Sequence, residues 1–308
     1  MSGFARLVTV ARLVARGVAA RGEAAAPRVP RRRAWVERAG IEVNPGRLRA
    51  YLRATGGEEI AGFHGAGAVV PPLFAATWET ALGLELLAAL EDPLPLGALV
   101  HQESEVIQVR PFRPGDRVRC RVELEKVEPA RRGIRLTLAT RNWNGGGQLC
   151  SQSTSTLLVK TRAPRDPSAV PADATPPAPE PARWDELARW HFGAGAGRRY
   201  ARASGDYNPI HLWPWTARPF GFRRPILHGY CTAAHVAHAL IARRFGGDPA
   251  GLRRLRVSFR APLPLPAAAR LLVGDVSGER RFRVVGEEGD GPVFAEGTYA
   301  GASSPGAG

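Results

Sequence analysis

The chain has 308 residues, enough for two domains or one repeated unit around a large core, and Arg or Pro breaks its apolar runs well short of the roughly 18 residues that a membrane-spanning helix needs. Lysine and arginine outnumber aspartate and glutamate by 43 to 28, but Lys126 and Lys160 are the only lysines, and no aromatic-interleaved basic module accompanies the arginines, which argues against a nucleic-acid partner. Cys120, Cys150 and Cys231 lie far apart without metal-ligand spacing, which points to a reducing cytoplasm and against a disulfide framework.

Residues 1–42 read as a basic N-terminal extension. Arg6, Arg12, Arg16 and Arg21 alternate with Leu7, Val10, Val14 and Val18, and no acid precedes Glu23. That pattern fits a transit or membrane-surface helix, and equally a loosely docked helix in an arginine-rich protein. A first unit follows over 43–162. After Asn44-Pro45-Gly46, Leu48, Tyr51 and Leu52 predict a short helix ending at Gly56-Gly57; Ala81, Leu82, Leu86 and Leu90 predict a second over Thr77 to Leu90, stopped by Pro93. The period then changes to two. Glu103–Val109, Arg117–Val127, Ile134–Asn142 and Gln148–Val159 alternate as half-buried antiparallel strands do, with turns at Pro114-Gly115-Asp116, Arg132-Gly133 and Asn144-Gly145-Gly146-Gly147.

Residues 163–183, rich in Pro and Ala and poor in large apolar residues, read as an extended linker. The second unit, 184–302, opens at Trp190 to Phe192 and has its main helix over His228 to Phe245. Strands are expected at Leu252–Phe259, Ala269–Val276, Arg281–Val285 and Val293–Tyr299. The order of the first unit is repeated, which predicts a duplication.

The candidate chemistry lies in the second unit. Ser204-Gly205-Asp206-Tyr207-Asn208-Pro209-Ile210-His211 sets a carboxylate and an imidazole on one turn, with a rigid Pro between them. This is an acid/base pair in waiting. Leu227-His228-Gly229 then opens an Ala-rich helix whose first N–H groups face outward for an anionic atom. The bland alternative is an Asx-type turn in which Asp206 and Asn208 merely cap local backbone. His228, His235 and His238 recur on one side of that helix, but no carboxylate or Cys joins them at ligand spacing, so packing is expected and no metal.

Tyr200-Ala201-Arg202-Ala203-Ser204-Gly205-Asp206-Tyr207-Asn208-Pro209-Ile210-His211, with Leu227-His228-Gly229 downstream, resembles the hydratase 2 signature of the MaoC-like dehydratases, the (R)-specific enoyl-CoA hydratases. The resemblance implies an α+β double hot-dog, each unit a long helix wrapped by an antiparallel sheet. It implies a degenerate first unit and a catalytic second one. The first unit matches only in layout and in its Arg-Pro-Phe-Arg-Pro-Gly-Asp turn, and the turn after Phe259 has Leu265-Pro266-Ala267 where the family has Gly-Asp.

The implied reaction is reversible hydration of (2E)-enoyl thioesters to (3R)-3-hydroxyacyl thioesters, with no cofactor beyond the coenzyme A or acyl carrier protein that bears the substrate. Asp206 and His211 then activate the water, Asn208 matches the family's third polar residue, and the Gly229 N–H falls on its oxyanion-hole position. Arg253, Arg256 and Arg260 are candidates for gripping coenzyme A phosphates or an acidic carrier protein, with a solvated face as the alternative. Leu73, Phe74 and Trp78 are assigned either to an acyl tunnel or to plain core. A monomeric double hot-dog or a homodimer is expected, without membrane insertion. A non-catalytic acyl-thioester-binding module and a hot-dog thioesterase remain as competing readings.

Overall fold

The computed structural model describes residues 34–90, 94, 99–130, 133–160, 180–287 and 291–301. The basic segment 1–22 and most of the proposed linker lie outside the described residues. The first half runs β1 (Trp35–Glu42), α1 (Pro45–Thr55), α2 (Ala76–Ala88), β2 (Leu99–Gln108), β3 (Arg117–Ala130), β4 (Gly133–Trp143) and β5 (Leu149–Lys160). The second runs β6 (Asp185–Phe192), α3 (Ala196–Ser204), the single turn α4 (Pro214–Ala217), α5 (Gly229–Arg244), β7 (Leu252–Phe259), β8 (Ala267–Val276), β9 (Glu279–Gly286) and β10 (Val293–Gly301).

All ten strands form one antiparallel sheet in the order β1-β3-β4-β5-β2-β7-β10-β9-β8-β6. From either edge to the seam the same path is traced, so the repeat expected from the sequence is a repeat of topology. Each half wraps its long helix, α2 or α5, with five strands. The Tyr-x-Arg-Ala-(Thr/Ser)-Gly run also recurs, at Tyr51–Gly56 and Tyr200–Gly205, closing α1 and α3 in the same way.

Local chemistry accounts for the elements. Asn44 caps α1 by accepting the Arg47 N–H at 2.9 Å, Pro45 supplies a preset φ at the first turn, and Gly56 ends the helix at φ 68°. α5 is apolar nearly all round, with Ala233, Ala234, Val236, Ala237, Leu240 and Ile241 buried, as suits a helix enclosed by sheet. From Val118 to Leu124 in β3 and from Leu136 to Asn142 in β4 every second residue is buried.

Two boundaries differ from expectation. The first unit begins no later than Trp35, because β1 pairs with β3 from Trp35↔Glu123 to Glu42↔Arg117. As an edge strand with mostly exposed side chains it carries no apolar alternation to reveal it. α3 is also absent from the sequence expectations: its nine residues hold one glycine and three arginines, and of its buried residues Ala196, Gly197, Tyr200, Ala201, Ala203 and Ser204 only Tyr200 is large.

The halves meet where β2 pairs with β7, from Glu103↔Ser258 to Ile107↔Arg254. Across this seam Arg254 pairs with Glu105 at 2.6 Å and Arg256 with Glu103 at 2.8 Å. Arg253 donates to the carbonyl of Val109 at 2.7 Å.

Candidate active site

Between the halves lies a cavity of about 830 Å³. Its floor comes from the second half: Asp206, Asn208, His211 and the start of α5. Leu84 and Leu87 of α2, with Leu138 and Leu157 of the first-half sheet, give an apolar wall. Phe220 and Phe222, on the loop between α4 and α5, contribute to another side.

Three backbone features hold the floor. Gly205 leaves α3 at φ 81°, a left-handed conformation that suits Gly, and turns the chain into Asp206. The Asp206 N–H is held by the Ser204 hydroxyl at 3.1 Å. Asn208 N–H donates to Asp206 Oδ1 and Ile210 N–H to Asn208 Oδ1, at 3.1 and 3.3 Å. The Asx turns are therefore real, and they coexist with a clustering of ionisable groups rather than replacing it.

The imidazoles are oriented by carbonyls. His211 Nδ1–H donates to the Ile226 carbonyl at 2.8 Å, which leaves Nε2 as the basic nitrogen. His228 Nε2–H donates to the Asp206 carbonyl at 3.0 Å, and the two rings stack at 3.7 Å. A carboxylate oxygen of Asp206 and a ring nitrogen of each histidine lie within 4.8 Å of one another, a separation that one water spans. Burial pushes the His211 imidazole below its ordinary value, against the attraction of Asp206; burial and the neighbouring His211 push His228 down to about 3. Both rings are neutral near neutral pH, so each keeps one unprotonated nitrogen, Nε2 of His211 and Nδ1 of His228, the latter buried without a hydrogen-bond partner.

Gly229 is the first residue of α5, so its N–H is among the amides that have no acceptor within the helix. The chain before it is pinned by Leu227 N–H to the Leu263 carbonyl at 2.8 Å. A Cβ on Gly229 would stand 2.9 Å from the Phe259 ring, so only glycine fits without displacing a neighbour.

Of the three arginines proposed to meet substrate, only Arg260 lines the cavity, paired with Glu296 at 2.7 Å. Arg253 and Arg256 lie at the seam, on the strand that pairs with β2, and bond to Val109 and Glu103 there. Leu73, Phe74 and Trp78 are core; the cavity uses the next turns of the same helix, Gly83, Leu84 and Leu87. His235 and His238 donate to the carbonyls of Cys231 and Thr55 at 2.8 and 3.0 Å, which is the packing role expected. Among the described residues the grouping close enough to hold a metal ion is instead Asp206, His211 and His228.

A further polar cluster in the cavity lining carries no local sequence signature. Tyr230 hydroxyl lies 2.9 Å from both Ser104 and Ser155 hydroxyls, and His101 Nε2 reaches the Glu103 carbonyl at 3.1 Å. Burial pushes His101 down to about 4. Glu79, fully enclosed on α2, accepts from Asn142 Nδ2 at 2.5 Å and Ser153 Oγ at 2.9 Å. Periodicity places Ser155 on a strand and Glu79 and Tyr230 on helices, but does not say that two halves will bring them to one cavity.

The profile of the family described as MaoC like domain matches residues 194–291, and that of the FAS1-like dehydratase domain region matches residues 34–143. The 3-hydroxyacyl-thioester dehydratase X of Mycobacterium tuberculosis is 31% identical over 250 residues, spanning 81% of this chain and 82% of that protein. The (R)-specific enoyl-CoA hydratase of Aeromonas caviae is 33% identical over 72 residues, 23% of this chain and 53% of that one. The crystal structure of HtdX from Mycobacterium tuberculosis superposes with a TM-score of 0.67 at 26% identity, over 87% of this chain and 99% of that one. A second Mycobacterium tuberculosis protein, described as a double hotdog fold, shares the fold with a TM-score of 0.53 at 14% identity, over 90% of this chain and 97% of its own.

Proposed function

The chain belongs to the MaoC-like dehydratase family, and from that premise we propose that it is a lyase interconverting (2E)-enoyl and (3R)-3-hydroxyacyl thioesters. The observation that carries this reading is the approach of Asp206 and His211 to within one water's reach at the polar end of an apolar cavity. A water held between the carboxylate and His211 Nε2 gives its proton to that pair while its oxygen attacks C3. The electron pair of the alkene moves toward the thioester, and negative charge develops on the thioester oxygen. The Gly229 N–H meets that charge from a helix start fixed before it appears. A proton from the pair then goes to C2, so water's hydroxyl ends on C3; dehydration runs the same steps backward.

Asn208 Oδ1 is engaged by Ile210 N–H, which suits a residue that shapes the turn bearing Asp206. Leu84, Leu87, Leu138 and Leu157 would receive the acyl chain. Arg260 is placed to meet the phosphorylated arm of coenzyme A or of a carrier protein. No cofactor is called for: the thioester conjugated to the alkene supplies the activation. The unpaired, buried cysteines fit a reducing cytoplasm.

Asp206→Ala and His211→Ala are each expected to lower turnover of enoyl-CoA by about 10²- to 10⁴-fold, the usual worth of a general acid/base, with the fold retained by circular dichroism. The assay follows loss of the conjugated thioester absorbance. Wild-type turnover in either variant rejects the mechanism, and release of free thiol by the wild-type protein would make it a thioesterase.

A further inference from the structure

The active loop is held from the first half by a side chain that neither the repeat nor the reaction accounts for. Arg47, on α1, donates from Nε to the Ala203 carbonyl at 2.8 Å, and from Nη2 to the Ser204 carbonyl and to the Thr77 carbonyl, the last at 3.1 Å. Ala203 and Ser204 end α3, where the last carbonyls have no N–H partner within the helix and carry the negative end of its dipole. A guanidinium is suited to that place because its donors are fixed in a fork and its charge is permanent.

The next residues are Gly205 and Asp206. Ser204 is gripped at its carbonyl by Arg47 and accepts the Asp206 N–H at its hydroxyl; the Asp206 carbonyl accepts from His228. The segment that bears the carboxylate is thus clamped at one end by the first half and at the other by the second. The recurrence of Tyr51–Gly56 at Tyr200–Gly205 sets Arg47 against Ala196. The second half answers with a different side chain, from α5. There the corresponding carbonyl, that of Thr55, is held by His238 at 3.0 Å.

We propose that Arg47 is a positioning residue by which the first half fixes Asp206 at its working distance from His211. Arg47 touches no reacting atom; it acts through the end of α3. The inference rests on Asp206 and His211 being the reacting pair, so Asp206→Ala is run beside it: activity retained there defeats the reading of the site, whatever Arg47 does.

The test is steady-state kinetics of Arg47→Ala and Arg47→Lys on an enoyl-CoA, with near-ultraviolet circular dichroism and active-site titration to count folded protein. Misplacing a reacting group by about 1 Å costs up to about 100-fold, so Arg47→Ala is expected to lower kcat per folded molecule by about 10- to 100-fold, with KM changed by less than about threefold. Arg47→Lys, which keeps charge but not the fork, is expected in between. Millimolar methylguanidinium should raise kcat of Arg47→Ala and leave wild type unchanged. A kcat per folded molecule equal to wild type in both variants overturns the proposal, as does a loss that follows only the folded fraction. If Arg47→Ala does not fold, Arg47→Lys decides by the same two readings.

Discussion

Gly229 shows how much can rest on the absence of one carbon. Its N–H opens α5 and its Cα faces Phe259, whose ring in turn lies 4.9 Å from His101. An alanine there puts a methyl 2.9 Å from the Phe259 ring, closer than such atoms pack, so either the ring or the helix start must move. Moving the helix start displaces the donor proposed for the thioester oxygen. Loss of one such donor costs about 10²- to 10³-fold in kcat, and a displaced donor keeps part of that. Gly229→Ala is therefore expected to lower kcat by about tenfold or more with KM little changed, measured on enoyl-CoA. Unchanged kcat would remove Gly229 from the reaction and leave it a packing residue.

At the scale of elements, the division of labour is between a half that bears the polar chemistry and a half that shapes the space. α2 turns Gly83, Leu84 and Leu87 into the cavity. By the alignment of Leu73 with Leu227, α5 presents His238 where α2 presents Leu84. The other recurrence, Tyr51–Gly56 at Tyr200–Gly205, sets Gly57 and Gly62 against Asp206 and His211. A side chain on Gly57 would meet the His238 ring at 2.7 Å, and one on Gly62 would meet Pro249 at 2.4 Å. The second site that duplication would have made is filled. If α2 sets chain length, Leu84→Trp should lower turnover of long-chain enoyl-CoA by at least about tenfold while sparing the four-carbon substrate, since one enlarged side chain excludes only what reaches it. Equal losses at every length would argue that Leu84 lies off the acyl path. Much of this was legible beforehand: the strands announced themselves by alternation, and Asp206, His211 and Gly229 by a dense local signature. What escaped was relational. Arg256 looks like a free cation until the seam sets Glu103 beside it, and Arg253 until it meets the Val109 carbonyl. Tyr230, His101 and Ser155 look like unrelated residues until two halves close on one cavity. β1 escaped because an edge strand whose half-buried residues are Val36 and Ile41, five apart, has no alternation to read.

Across the whole molecule, five of the seven histidines, His101, His211, His228, His235 and His238, are held as neutral bases by burial. Burial pushes His228 and His238 to about 3 and His101 and His235 to about 4, with His211 lowered as well. In the unfolded chain each titrates near 6.5. Between about pH 4 and pH 6.5 the unfolded state therefore holds more protons than the folded one, and stability rises with pH through that window and is lost as pH falls. Each such histidine contributes a slope of up to about 1.4 kcal/mol per pH unit. His238 is the one to test, because it is remote from the reacting pair: its ring packs on Phe63 at 5.3 Å and its Nδ1 is tied to Thr55. His238→Leu, which installs the residue that α2 carries at the matching place, forfeits that hydrogen bond and so lowers stability at pH 7, by about 1 kcal/mol. It also removes one titrating group, so the fall from pH 7 to pH 5 should be shallower than in wild type by up to about 1.4 kcal/mol per pH unit, read from urea midpoints at the two values. An identical fall in both proteins would mean that His238 takes up its proton without unfolding the interface, and that the acid sensitivity of the joined halves lies with the other buried histidines.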